Sequence, residues 1–271
     1  MDYRIKGNDI IIKQPDFELA QTLDCGQAFR WEMQSDGSFT GAYLNRPLHI
    51  STLDIKDSTF ILHNTTEDEL LSIWYDYFDL GTDYSEIKRR LSEDETLSKA
   101  CGFAYGIRIL KQDSWEALSS FIISQNNNIP RIKGIIGRLV EHYGAYPSVD
   151  DMADETAESL AFLRAGFRAK YLVDAVDKLY RGELSIDGIK AAPLDEAAKK
   201  LMTIKGVGPK VASCALLFGF YKLDAFPIDV WVKRVMADFY PNGLPECTRG
   251  IEGVAQQYLF HYIRKIYGRV E

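Results

Sequence analysis

The hydrophobic period of this chain changes near residue 66, and that change limits the folds open to it. Before it, short runs rich in β-branched and aromatic residues are separated by turn residues: DIIIK (9–13), GSFTGAYL (37–44), PLHIST (47–52) and TFILHN (59–64). Runs of that length and composition predict strands of a small antiparallel sheet. Between the first two, DFELAQTLDCGQAFRWEM (16–33) starts as a short helix, reaches a glycine and becomes extended. From residue 67 onward apolar residues recur at i, i+3 and i+4, in EDELLSIWYDYF (67–78), SEIKRRLS (85–92), WEALSSFIISQ (115–125), RIKGIIGRLVEHYG (131–144) and DETAESLAFL (154–163). The same spacing continues in AKYLVDAVDKLYRG (169–182), LDEAAKKLMTI (194–204), GPKVASCALLFGF (208–220), DVWVKRVMADFY (229–240) and GVAQQYLFHYIRKIYG (253–268). This is helical spacing, with starts and stops marked by Ser, Asp, Gly and Pro. A chain so divided predicts an α+β fold: an N-terminal domain with an antiparallel sheet over 1–110, and a larger all-helical domain over 111–271.

Few function classes are excluded by bulk properties. No apolar run approaches the length of a membrane-spanning helix, and the N-terminus lacks a basic-then-apolar leader pattern, so a cytoplasmic, non-membrane protein is predicted. The cysteines (25, 101, 214, 247) and histidines (49, 63, 142, 261) show no metal-ligand spacing, so no metal and no cofactor is expected. The net charge of −7 argues at first against a nucleic-acid partner. Its distribution does not. Residues 67–95 carry ten acids and three bases, whereas 197–236 carry seven bases and two acids. A polyanion responds to the local field, although a basic stretch can also be a solvated helical face.

Inside the basic stretch, Gly206-Val207-Gly208-Pro209 joins two amphipathic segments, over about 194–219. Proline suits the first turn of a helix, and glycines allow tight turns and close backbone approach. The free N–H groups of such a turn can hold a phosphate. The element reads as a helix–hairpin–helix that grips DNA backbone without reading sequence, with Gly206, Gly208 and Val211 as backbone contacts. Lys210 follows in the first helical turn, where the helix dipole opposes a cation. An exposed surface lysine is one reading of it; an amine nucleophile is the other. Asp229, after Pro227-Ile228, suits a helix N-cap, and a carboxylate beside the lysine could also stabilise a developing sugar cation.

Hairpin, lysine and trailing Pro-x-Asp together resemble the helix–hairpin–helix DNA glycosylases with AP lyase activity. CGQAFRW (25–31), SQNNNIPRI (124–132), GFRAKY (166–171) and VAQQYLF (254–260) narrow the resemblance to the 8-oxoguanine DNA glycosylases, over nearly the whole chain. The resemblance implies a monomeric base-excision-repair enzyme acting on double-stranded DNA that contains 8-oxoguanine. It implies that Lys210 attacks C1′ and forms a Schiff base, and that Asp229 supports the charged transition state. It implies that Gly26 aims a backbone carbonyl at the lesion's N7–H, that Gln256 meets the base's pairing edge, and that Phe260 and Cys214 sandwich the base. It further implies that Asn126, Arg131 and Arg168 meet the cytosine left behind, while Phe167 wedges into the duplex. Taken without the family, Cys214 and Phe260 read as core, the asparagine run as an interhelical loop, and CGQ as a helix end. Two positions depart from the pattern: Trp231 stands where many members carry a phosphate-holding histidine, and Pro130 lies within the asparagine loop. Other readings stay open: an alkylated-base glycosylase of the same superfamily, or a non-catalytic DNA-binding module that uses the hairpin alone.

Overall fold

The computed structural model describes residues 1–268. It divides into two compact units, one of residues 1–111 with 226–268 and one of residues 112–225.

The first unit carries a six-stranded antiparallel sheet in the order β1-β2-β6-β5-β4-β3. Its strands are β1 (Asp2–Lys6), β2 (Asp9–Lys13), β3 (Glu32–Met33), β4 (Phe39–Tyr43), β5 (Arg46–Asp54) and β6 (Thr59–His63). Alternation places Ile10, Ile12, Leu48, Ile50, Phe60 and Leu62 on one buried face. That face packs with α1 (Leu19–Leu23) and with a helix built from α2 (Glu67–Glu69), a π-helical stretch (Leu70–Trp74) and α3 (Tyr75–Tyr77). Trp31 lies at the centre and donates its indole N–H to Tyr77 Oη at 2.6 Å. β1 is exposed along its whole length. With no buried face it has no hydrophobic signature, which is why the sequence pattern marks only β2, β4, β5 and β6. Two further helices follow, α4 (Tyr84–Leu91) and α5 (Glu95–Phe103).

The second unit is all helical: α6 (Ser114–Ser124), α7 (Ile129–Tyr143), α8 (Arg168–Tyr180), α9 (Ile186–Ala191), α10 (Leu194–Leu201) and α11 (Pro209–Gly219). α6 and α11 are mutual neighbours and buried on most sides. A Cβ on Gly219 would lie 2.7 Å from Ala117 Cβ, so the glycine lets the two helices approach. Residues 154–163, whose spacing predicts a helix, form no α-helix; Ser159–Leu163 is a short 3-10 turn. Thr156 N–H donates to Ser159 Oγ at 2.8 Å and Ser159 N–H to Thr156 Oγ1 at 3.1 Å. Those side-chain bonds compete with the helical ladder.

The chain returns to the first unit with α12 (Val230–Phe239) and α13 (Glu252–Tyr267). Here the compact units differ from the division at residue 110 that the sequence pattern predicts. Residues 226–268 group with the sheet-bearing part and not with the helical one. α13 packs on α5, Tyr240 donates to Asp94 Oδ1 at 2.6 Å, and Tyr258 donates to the Ile107 carbonyl at 3.3 Å. Such contacts link residues far apart in the chain, and hydrophobic periodicity carries no information about them.

Candidate active site

In the helical unit, the hairpin between α10 and α11 follows the pattern that its glycines predict. Gly206 has φ 77°, a left-handed conformation that favours glycine. A Cβ there would sit 2.3 Å from the Tyr171 ring. Gly208 differs: its φ of −96° is open to any residue, and a Cβ would meet nothing within 4 Å. The Lys205 N–H donates to Asp174 Oδ2 at 2.7 Å, which ties the hairpin to α8. Pro209 occupies the first turn of α11, and the Ala212 N–H makes a hydrogen bond to the Gly208 carbonyl at 3.0 Å. The N–H groups of Lys210 and Val211 precede that bond and are the donors an anion can use.

The Lys210 side chain is exposed. It opens onto a cavity of about 390 Å³ whose lining includes Asn126, Phe167, Gly206, Gly208, Lys210, Val211 and Cys214. Residues that the sequence marks in three separate segments therefore meet at one concavity. Ser124 and Gln125 also line it; both fall inside the asparagine-loop segment but carry no distinguishing signal of their own.

Asn126 holds a left-handed φ of 47°, a conformation that costs about 1 kcal/mol or more for a non-glycine residue. Arg168 stabilises that turn. It is only 3% exposed, and it donates from Nε to the Gln125 carbonyl at 2.7 Å, from Nη1 to Ala165 at 3.1 Å and from Nη2 to Asn126 at 2.8 Å. Its guanidinium is thus turned inward, and neither Arg168 nor Arg131 is among the cavity's lining residues. Phe167 is 49% exposed, with the Arg168 guanidinium 4.5 Å from its ring centroid and Tyr171 at 5.5 Å. Arg131 is exposed in the first turn of α7. Pro130, a departure in sequence, fits that turn without strain, and Asn128 caps it by accepting from the Arg131 N–H at 3.0 Å.

In the sheet-bearing unit, Gly26 has φ 85° in the loop between α1 and β3. The neighbouring Gln27 side chain fixes that loop. It donates to the carbonyls of Thr22 (2.9 Å) and Arg108 (2.8 Å) and accepts from the Leu110 N–H (3.0 Å). Gln27 lies within CGQ, yet nothing in the sequence separates its holding role from that of its neighbours. Burial pushes the adjacent Cys25 thiol up to about 11, so it is a neutral packing group. Asp229 is half-buried and caps α12, its Oδ1 accepting from the Val232 N–H at 2.8 Å.

Gln256 and Phe260 lie one turn apart on α13, on one face. Gln256 is 4% exposed, and its Oε1 accepts from Gln257 Nε2 at 2.8 Å. Gln257 thereby orients the Gln256 amide, a function that only the second glutamine of the QQ pair could have hinted at. One turn after Gln257, burial and the nearby Arg264 push the His261 imidazole down to about 4. Its Nε2 is enclosed with no hydrogen-bond partner. Among the described residues no cluster of His, Cys, Asp and Glu suited to a metal ion occurs, and no helix is long and apolar enough to cross a membrane.

Two family models match this chain: 8-oxoguanine DNA glycosylase, N-terminal domain, over residues 9–118, and HhH-GPD superfamily base excision DNA repair protein, over residues 119–245. The chain belongs to the 8-oxoguanine DNA glycosylase family of the HhH-GPD superfamily. It is a base-excision-repair DNA glycosylase by membership. Among solved structures it is similar to MBOgg1 in complex with a low-affinity DNA ligand, with 39% identity, TM-score 0.90, and coverage of 98% of this chain and 99% of that one. It is also similar to the 8-oxoguanine glycosylase/lyase of Clostridium acetobutylicum, in complex with double-stranded DNA containing cytosine opposite 8-oxoguanine. That match has 38% identity, TM-score 0.89, and coverage of 98% and 99%. The N-glycosylase/DNA lyase of Saccharomyces cerevisiae is 29% identical over 85% of this chain and 70% of its own length.

Proposed function

We propose that this family member is a bifunctional 8-oxoguanine DNA glycosylase and AP lyase. One observation carries the reading: Lys210 is exposed at the cavity of about 390 Å³ that also gathers Asn126, Phe167 and the hairpin glycines. The chemistry follows from a lysine at that place. The damaged nucleotide must leave the stack before its C1′ can be reached. The Lys210 amine, deprotonated for the attack, forms a bond to C1′ as the C1′–N9 bond breaks, and the base departs with its bonding electrons and takes up a proton. Asp229 supplies negative charge to the sugar cation that develops in that step. The amine and C1′ then form a Schiff base with opening of the sugar ring. Loss of a C2′ proton expels the 3′ phosphate and cuts the strand.

Selection of the lesion is proposed to rest on N7. Normal guanine presents a lone pair there, while 8-oxoguanine presents N–H, and a backbone carbonyl accepts from the second and repels the first. Gly26, in a positive-φ turn braced by Gln27, suits that role. Gln256, with its Oε1 engaged by Gln257, is proposed to meet the pairing edge, and Phe260 and Cys214 to flank the base. Asn126 and Arg131 are proposed to meet the estranged cytosine. Arg168 serves that recognition by holding the Asn126 turn, since most of its donors are committed to carbonyls.

Borohydride trapping on duplexes carrying 8-oxoguanine, uracil or an alkylated purine tests the reading. A covalent complex is expected on 8-oxoguanine alone, and Lys210→Gln is expected to lose both trapping and base release while still binding DNA. Base release by Lys210→Gln at the normal rate would overturn the assignment of the nucleophile.

A further inference from the structure

The helix that Asp229 caps carries a second group suited to DNA, whose role rests on the part proposed for Asp229 in catalysis. Arg234 is exposed on α12, and its guanidinium carbon lies 5.2 Å from the Trp231 ring centroid, one turn toward the helix N-terminus. A cation–π contact of that kind holds the planar fork in place without using up its N–H donors. The usual partner of an arginine on a helix is a carboxylate a turn away. Asp238 is in that position, but its Oδ2 accepts from Tyr267 Oη at 2.5 Å, and among the described residues Arg234 forms no ion pair with it.

The guanidinium is therefore directed toward the end of α12 where the helix dipole opposes a cation. The Asp229 carboxylate already stands at that end and is engaged by the Val232 N–H. Among the described residues it forms no ion pair with Arg234, so the fork keeps its N–H donors for a further anion. Exposed Val230 (67%) and Ile228 (45%) flank Asp229 and offer apolar surface to a sugar. A DNA strand supplies both features in every nucleotide, an anionic phosphate and an apolar sugar face, and the arginine fork matches phosphate in two-point geometry.

We propose that Arg234, braced on the indole of Trp231, binds a backbone phosphate of the lesion-bearing strand. Trp231 is the position at which this chain lacks the histidine of many relatives. Here the indole contributes by holding Arg234, which supplies the charge.

The test is equilibrium binding to a duplex carrying a tetrahydrofuran abasic analogue, which cannot form a Schiff base, measured between about 50 and about 200 mM KCl. Each neutralised phosphate contributes about 0.9 to the slope of log K against log salt. Arg234→Met is expected to reduce that slope by about one, with an unchanged melting temperature because the side chain is exposed. Lys56→Met removes one cation from a β-turn of the same unit, and it is expected to leave the slope as it was. Trp231→Leu keeps the charge but removes the brace, and should weaken binding at every salt concentration with the wild-type slope. An unchanged slope in Arg234→Met, or an equal fall in Lys56→Met, overturns the phosphate contact. Unchanged affinity in Trp231→Leu overturns the bracing. Trapping of the unmodified protein on 8-oxoguanine duplex is run alongside. Its failure with the slope effect intact would sink the glycosylase/lyase reading and leave the phosphate contact standing.

Discussion

Asp229 has two roles that substitution can separate. As an N-cap it needs only an acceptor oxygen, and asparagine caps about as well as aspartate. As a charge on the reaction path it needs the carboxylate. Asp229→Asn is therefore expected to keep its melting temperature and lose most of its excision rate. Asp229→Ala should lose the rate and about 1 kcal/mol of stability as well. A normal single-turnover rate in the asparagine variant would leave Asp229 as a cap alone. His261 makes a different, pH-dependent contribution. Its folded-state value, about 4, lies below the roughly 6.5 of an unfolded histidine. Between these values the unfolded chain binds the extra proton, so stability falls as pH drops from about 6.5 to about 4 and is flat outside that window. Across the whole window the loss is on the order of 3 kcal/mol. Urea midpoints at about pH 7.5 and about pH 4.5 should differ less in His261→Leu than in the unmodified protein; equal differences would show that other groups dominate.

At the scale of the element, the hairpin uses its two glycines for different reasons. Gly206 is required by the fold, because its φ is positive and the Tyr171 ring occupies the place a Cβ would take. Gly208 has an ordinary backbone and open space before it, so the close approach it permits is to something outside the chain. Gly206→Ala is accordingly expected to destabilise the helical unit by about 1–3 kcal/mol and to weaken DNA binding as a consequence. Gly208→Ala should leave the melting temperature within about a degree or two and still weaken binding, because a methyl group stands where a phosphate approaches the Lys210 and Val211 N–H groups. Thermal melts paired with duplex binding decide this, and a Gly208→Ala protein with wild-type affinity would count against the phosphate site.

For the whole molecule, a net charge of −7 is compatible with a DNA partner because the bases concentrate around the hairpin and α12. Opposite-base choice is the broadest consequence of the proposed contacts. Cytosine presents acceptors at O2 and N3 and a donor at N4, which suit an exposed arginine and asparagine. Adenine presents a different pattern and a larger ring, and each lost contact costs about 1–3 kcal/mol. Excision opposite cytosine should therefore exceed excision opposite adenine, and Arg131→Ala should shrink that ratio more than it slows the cytosine-paired substrate. Arg168→Ala should instead slow both and lower the melting temperature, because it removes the support of the Asn126 turn. Equal rates opposite the two bases in the unmodified protein would refute the scheme.

The division between sheet and helices, the hairpin, and Asn126, Phe167 and Lys210 at the cavity were legible in the sequence, because each leaves a local mark. A change of hydrophobic period, a Gly-x-Gly-Pro turn or an N-cap is written within a few residues of where it acts. Other features leave no such mark. β1 buries no face, α9 spans only 6 residues, and residues 154–163 trade a helix for side-chain turns between Thr156 and Ser159. Arg168 reads as a DNA contact until its donors are found on three carbonyls, two of them more than forty residues away in the chain. The return of residues 226–268 to the sheet-bearing unit and the bracing of the Gly26 loop by Gln27 through Arg108 and Leu110 were likewise decided only in three dimensions. Each depends on which partner a donor, a ring or an apolar face meets after folding, and a partner distant in the chain leaves no trace in local periodicity.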